Sequence, residues 1–309
     1  MKLEGIHHIT CITADAPANV EFYVGVLGLR MVKKTVNQDD PSVYHLFYAD
    51  DAGSPGADLT FFEYPGLPRG RAGAGMVHRI VHRVGAEAAL DFWQERLTGA
   101  GVDAARTDAA LRFPDPEGLE HELVVSSAPD APLTATAPDV PAEHALQGFE
   151  AVHAYTAAPD RSAPVLRDVL GFTGGEDGRW ERRGDERGSF YVYDEPPAEP
   201  GRQGAGTVHH VAWASRMEDQ DAWQRHVARA GVRPTPVIDR FWFRSIYFRE
   251  PSGVLFEIAT MGPGFATDED PAHLGEKLVL PPRFEPLRDQ VERKLTPLPD
   301  LRARSATSP

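Results

Sequence analysis

Two short segments carry adjacent histidines in a strand-like setting. One is Gly5-Ile6-His7-His8-Ile9-Thr10; the other, far along the chain, is Val208-His209-His210-Val211, followed later by Phe256-Glu257-Ile258. Two imidazoles and one carboxylate from separate strands are the donor set of a mononuclear Fe(II) centre with open positions, and Mn(II) accepts the same set. Such a centre keeps one net positive charge, so an anionic substrate oxygen and dioxygen can bind side by side. A structural zinc would take four protein ligands and a closed shell. The single cysteine, Cys11, excludes a cysteine-rich zinc site and an internal disulfide framework.

Side chains alternate along a strand, so one histidine of each pair is expected to face the metal while the other stands behind it. Phe256 and Ile258 would point to the packed side opposite Glu257. Internal repeats choose between the histidines. Gly73-Ala74-Gly75-Met76-Val77-His78-Arg79-Ile80 recurs as Gly204-Ala205-Gly206-Thr207-Val208-His209-His210-Val211, and Asp115-Pro116-Glu117-Gly118 recurs as Glu250-Pro251-Ser252-Gly253. Arg79 then stands opposite His210, and alignment on Leu27-Gly28 and Leu170-Gly171 sets Ala151 opposite His8. The second residue of each pair, His8 and His210, is therefore the expected ligand with Glu257, and the other two quarters have lost their site. Glu122 is left as a structural or solvated carboxylate. Glu63, in Phe61-Phe62-Glu63-Tyr64, is either a fourth ligand or an outward-facing edge residue. His78 and His82 read as structural, with Arg79 between them. Cys11 reads as a buried apolar residue, and Phe241-Trp242-Phe243 as lining, with one ring available for stacking on an aromatic.

The elements that must position these residues follow from the same repeats. Each quarter reads as strand, helix, then several strands, giving an α+β chain of four βαβββ modules at about 5–63, 73–125, 148–194 and 204–260. Helices are expected near Ala16 to Leu27, Ala86 to Leu97 and Glu218 to Ala230, the first and last stopping at glycines suited to a C-cap. Strands are expected at Leu59 to Tyr64, Phe190 to Tyr193 and Ser245 to Phe248, where aromatic or β-branched residues concentrate. Residues 126–147, rich in Ala, Pro and Asp, read as a linker between halves 1–125 and 148–260. Residues 261–309 form a polar, proline-punctuated extension with a short helix around Leu287 to Leu295.

Composition narrows the partners. With 309 residues the chain can bury a sizeable core, and a formal charge of -14 without a basic cluster argues against nucleic acid. No apolar run approaches membrane-spanning length, and the N-terminus shows no basic segment followed by an apolar one. A soluble cytoplasmic protein is the expectation, with self-association left open.

At these residues the chain resembles the vicinal oxygen chelate superfamily, and within it the ring-cleaving dioxygenases of the hydroquinone 1,2-dioxygenase type. The resemblance covers nearly the whole chain. It rests on His7-His8-Ile9-Thr10, Val208-His209-His210, Asp239-Arg240-Phe241, the run Ser245-Ile246-Tyr247-Phe248-Arg249-Glu250-Pro251-Ser252-Gly253, Glu257-Ile258-Ala259-Thr260, and Gly275-Glu276-Lys277-Leu278. It implies paired βαβββ modules forming two open-barrel-like sheets, the first and fourth modules joined around iron held by His8, His210 and Glu257. It further implies that His7, Thr10, His209, Arg240 and Tyr247 support the ligands or touch substrate, with Arg244 a less favoured substitute for Arg240. The implied reaction opens a small aromatic diphenol with O2 and needs no organic cofactor. Two rivals share the scaffold: a glyoxalase-like isomerase or lyase, which would recruit a fourth ligand such as Glu63, and a resistance protein that sequesters an aromatic compound without metal.

Overall fold

The computed structural model describes residues 1–300. Module one contains β1 (Ile6–Thr13), α1 (Ala16–Val20), β2 (Arg30–Val36), β3 (Tyr44–Ala49) and β4 (Asp58–Glu63). Module two contains β5 (Met76–Val84), α2 (Glu87–Gly99), β6 (Ala105–Arg106), β7 (Ala110–Pro114) and β8 (Glu120–Val125). Module three contributes β9 (Phe149–Tyr155), β10 (Thr173–Gly174), β11 (Arg179–Arg183) and β12 (Gly188–Asp194), and module four β13 (Thr207–Ser215), α3 (Gln220–Arg229), β14 (Ile238–Asp239), β15 (Arg244–Arg249) and β16 (Leu255–Thr260). The short helix α4 (Arg288–Glu292) falls in the C-terminal extension. Among the described residues, no helix is long and apolar enough to cross a membrane.

The modules pair in a nested manner. One eight-stranded sheet has the order β14-β15-β16-β13-β1-β4-β3-β2, joining modules one and four; the other has the order β10-β11-β12-β9-β5-β8-β7-β6, joining modules two and three. In each sheet the first strands of two modules meet antiparallel at the centre, β1 on β13 and β5 on β9.

The repeated sequence motifs are where the two sheets brace each other. Gly75 (φ 79°) lies where a Cβ would come within 2.9 Å of Ser252 O, and Gly206 (φ 76°) where one would come within 2.3 Å of Glu117 O. Each Gly-Ala-Gly turn thus backs onto the Pro-x-Gly turn of the other sheet, and both needs, a positive φ and room for backbone, select glycine. A large core holding Tyr23, Trp93, Trp213 and Phe256 spans both halves.

The first helix begins with Asp15 accepting from Ala18 N, then passes at Glu21–Val26 into a π-helical turn that ends before Gly28 (φ 67°). The segment 126–147 is pinned along its course: Asp130 pairs with Arg83 and Arg183, each at 2.6 Å, and Thr136 Oγ1 donates to Asp51 Oδ2 at 2.7 Å.

The extension covers one end of the first sheet. Phe265 and Leu274 join Val32, Phe47, Trp242 and Phe243 in a separate apolar cluster. Beneath it the fully buried Lys33 ammonium meets Asp268 at 2.8 Å and also Glu269. The cation lies 5.0 Å from the Trp242 ring centre.

Candidate metal centre

The two central strands of the first sheet are bulged at the histidine pairs. Pairing of β1 with β13 skips between Ile6 and His8, and again between Thr10 and Cys11, whose partners are His210 and Val208. His7 and His209 are the extra residues. A β-bulge turns adjacent side chains to one side, and bulges of this kind re-aim residues at active sites. Strict alternation, which would send one histidine of each pair to the far face, is overturned: both rings of both pairs gather, His7 with His8 at a centroid distance of 5.0 Å and His209 with His210 at 5.1 Å.

His8, His210 and Glu257 converge at buried atoms. His8 Nε2 lies 3.2 Å and His210 Nε2 2.8 Å from Glu257 Oε2, and the two nitrogens are 3.3 Å apart. Three donors bonded to one ion at about 2.1 Å and right angles would sit about 3.0 Å from one another, so the triangle has the dimensions of three adjacent corners of an octahedron. Glu257 Oε2 is buried with no hydrogen-bond donor, while Oε1 accepts from Ser245 Oγ. Burial would raise the Glu257 carboxyl, but the neighbouring imidazoles of His8 and His210 outweigh it and hold it well below its ordinary range.

The hydrogen bonds behind the imidazoles set their tautomers. His7 Nε2 is 3.1 Å from the carbonyl oxygen of Thr260, an acceptor only, and so carries the His7 proton. Burial first, then His8, push His7 down to about 3, so its ring is neutral and Nδ1 is a lone pair. That lone pair lies 2.9 Å from His8 Nδ1, which must donate to it, and His8 Nε2 is turned towards Glu257. In the second pair His209 Nδ1 and His210 Nδ1 are 2.8 Å apart, and burial and His210 push His209 to about 3, so its ring is neutral. A buried carboxylate facing two imidazole nitrogens is a donor set for a divalent cation, and the chemistry of the donors fits one.

Tyr247 pairs across β15 and β16 with Glu257 and sets its ring edge-on to His210 at 5.6 Å. Burial, reinforced by Glu257 and opposed by Arg240, pushes its phenol well above the ordinary range. Arg240 Nε donates to Tyr247 Oη at 3.3 Å, and its other nitrogens hold Asp39, on the turn before β3, at 3.0 and 2.9 Å. The arginine's acidic partner is therefore this remote residue of module one; Asp239 instead accepts from Phe241 N. Arg244 pairs with Asp221 away from the site. Phe243 packs on His7 and His8 at 5.6 and 5.3 Å. Thr10 is fully buried and accepts from Thr60 Oγ1 at 2.8 Å.

Glu63 is neither an outward-facing edge residue nor part of the donor group: it is buried, and Oε1 accepts from Ala16 N at 3.1 Å. His82 turns to His121, at 3.0 Å, rather than to His78. Sequence reasoning missed Asp39, His45, Thr60 and Asp58. Asp58 sits beside His8 in the β1–β4 register with both carboxyl oxygens buried and unpartnered, and burial raises its carboxyl well above the ordinary range. Polar Asp58 and Thr60, two apart on an otherwise largely apolar β4, were the available signal.

The second sheet holds a filled counterpart. Arg79, at the place of His210, puts Nε 3.0 Å from Glu122, at the place of Glu257, and Arg112 adds a second contact at 2.8 Å. Glu122 is thus buried between two guanidinium groups. His78, His153 and Asp194 also cluster there, the imidazoles 2.8 and 2.9 Å from Asp194 Oδ2. Arg79 Nη2, 2.9 Å from His153 Nδ1, already supplies the cation.

Residues 5–123 and 148–258 match the Glyoxalase/Bleomycin resistance protein/Dioxygenase superfamily, and the chain belongs to it. Its relatives include a candidate ring-cleaving dioxygenase of Bacillus subtilis, MhqO, 42% identical over 96% of this chain and 97% of that one. The chlorohydroquinone/hydroquinone 1,2-dioxygenase of Sphingobium indicum is 32% identical over 95% of this chain and 96% of its own. A crystal structure of a candidate dioxygenase from Bacillus subtilis superimposes with a TM-score of 0.90 at 40% identity, covering 96% of this chain and 98% of that one. Glyoxalase I of Zea mays shares the fold, with a TM-score of 0.55 at 13% identity over 83% of this chain and 92% of its own.

Proposed function

We propose that the chain is a non-haem Fe(II) ring-cleaving dioxygenase acting on a hydroquinone-type diphenol. The observation that carries the reading is the buried triangle of His8, His210 and Glu257, a donor set that leaves three octahedral positions open; the similarity to a hydroquinone 1,2-dioxygenase supports the substrate class. Bound there, Fe(II) would lower the phenol pKa and provide the electron path between ring and dioxygen. Both oxygen atoms enter the ring-opened product, so the reaction needs no external reductant.

The protein's own groups orient the substrate and handle protons. Tyr247 keeps its proton at neutral pH, and Arg240 Nε occupies an acceptor position on its oxygen, leaving the hydroxyl hydrogen free to reach a substrate oxygen. His209 Nε2 has no partner among the described residues and is open to a bound ligand. His7 locks His8 through the Thr260 carbonyl. Phe243 and the apolar cluster beneath it keep water from one side of the donors.

Oxygen uptake by anaerobically Fe(II)-loaded protein given hydroquinone, methylhydroquinone, chlorohydroquinone and catechol tests the reading. One O2 consumed per ring lost, abolished in His210→Ala, is the expected result. Absence of uptake with every diphenol despite bound iron would refute it.

A further inference from the structure

Across the half-barrel from Tyr247 and Arg240 lies an imidazole with one end fixed and the other open. His45 stands on β3, cross-strand from Phe62 on β4, with its ring against Phe47 and Phe62 at centroid distances of 4.0 and 4.4 Å. Its Nε2 is 2.9 Å from Thr60 Oγ1, which donates to Thr10 Oγ1 at 2.8 Å. Thr10 lies two residues beyond His8 on β1 and pairs with His210. This ladder fixes the ring to the strand that carries a metal donor.

A hydroxyl has one proton to donate, and Thr60 gives its proton to Thr10; Thr60 therefore accepts from His45 Nε2–H. Burial above all holds the imidazole well below its ordinary range, so the ring is neutral at neutral pH and the proton shared with Thr60 is its single one. Nδ1 is left as a lone pair. It has no hydrogen-bond partner among the described residues, and on a half-buried ring it is not among the sealed, unpartnered atoms.

The two flanks of the first sheet, β15 on one side and β3 on the other, therefore differ in polarity. Tyr247 and Arg240 present N–H and O–H donors, suited to an oxygen that gains negative charge; His45 presents an acceptor, suited to a hydroxyl that keeps its proton. We propose that His45 is a substrate-contacting, specificity-determining residue, whose Nδ1 accepts a hydrogen bond from the ring hydroxyl remote from the metal donors and so selects diphenols over monophenols. The ligand class rests on the ring-cleavage reading above; the hydrogen-bond polarity rests on the side chains alone.

The test is anaerobic calorimetric binding of hydroquinone and of phenol to the metal-loaded full chain, comparing the unsubstituted protein with His45→Phe and His45→Leu, each first shown to be folded by its thermal melt. Wild type should bind hydroquinone about tenfold to a hundredfold more tightly than phenol. Both variants should bring that ratio to within about threefold while changing phenol affinity little, and a variant that fails to fold leaves the decision to the other. A wild-type ratio near one, or a ratio unchanged in a folded variant, would overturn the proposal. Selectivity that depends on His45 without oxygen consumption would overturn the dioxygenase reading and leave His45 as a ligand-binding residue. Oxygen consumption with selectivity independent of His45 would do the reverse.

Discussion

Replacing His7 by Phe separates metal binding from folding in a way the hydrogen bonds specify. His7 Nδ1 accepts from His8 Nδ1 at 2.9 Å and His7 Nε2 donates to Thr260 O at 3.1 Å. Phe fills a similar volume but cannot accept. When a metal occupies His8 Nε2, the His8 proton is confined to Nδ1, and in the variant that N–H is buried and unpaired at a cost of about 1–3 kcal/mol, equivalent to roughly fivefold to 150-fold in affinity. Without metal the proton can move to Nε2, which faces Glu257 Oε2 at 3.2 Å. The metal-free variant should therefore lose much less stability than the metal complex loses in affinity. Competition titration against a chromophoric chelator, anaerobically with Fe(II) and in air with Mn(II), gives the affinity; urea unfolding of the metal-free protein gives the stability. Metal affinity within twofold of wild type, or equal losses in both measurements, would refute the tautomer argument.

Glu257→Gln removes the only negative charge among the donors and should lower metal affinity by on the order of a hundredfold or more, read by the same titration, while the metal-free protein stays folded. His82, buried and pushed by burial to about 4, stays neutral in the folded protein while its unfolded counterpart takes up a proton near pH 6.5. The unfolded state thus holds more protons between those values, so this residue's contribution to stability falls as pH drops from 6.5 towards 4, and His82→Gln should flatten that slope in urea titrations. Asp115, raised to about 6 mainly by burial, acts in the opposite sense, its contribution falling as pH rises from 3.8 to 6. Lys33→Met leaves Asp268 and Glu269 without their shared cation and should cost about 3 kcal/mol in denaturant unfolding. Arg79→His combined with Ala151→His rebuilds the donor set around Glu122, and bound metal measured by elemental analysis should rise from one to two ions per chain; a stoichiometry of one would show that equivalence in the repeats does not suffice.

Much of the fold was legible because the chain repeats itself. The Gly-Ala-Gly and Pro-x-Gly motifs marked equivalent positions, and the substitutions Arg79 and Ala151 indicated which histidine of each pair to choose before any geometry was known. What alternation could not reveal was the bulge: an extra residue in a strand leaves no mark in a hydrophobic pattern, so His7 and His209 were assigned to the wrong face. Asp39 and His45 were equally hidden, since their importance comes from partners such as Arg240 and Thr60 brought together only by tertiary pairing. The segment 126–147 looked like a tether by composition, yet Asp130 and Thr136 pin it through contacts with residues distant in sequence.

The nesting of the modules dictates an order of assembly during synthesis. Strand β1 precedes its partner β13, at 207–215, by some two hundred residues. Modules two and three, contiguous in the chain apart from the bridging segment, can close their sheet first; in module one β1 pairs with β4 while its other edge stays open until module four is made. His8 cannot meet His210 and Glu257 until module four has left the ribosome. The candidate donor triad is consequently the last part of the first sheet to come together, and a chain truncated between residues 194 and 257 would keep every strand of the second sheet while lacking Glu257.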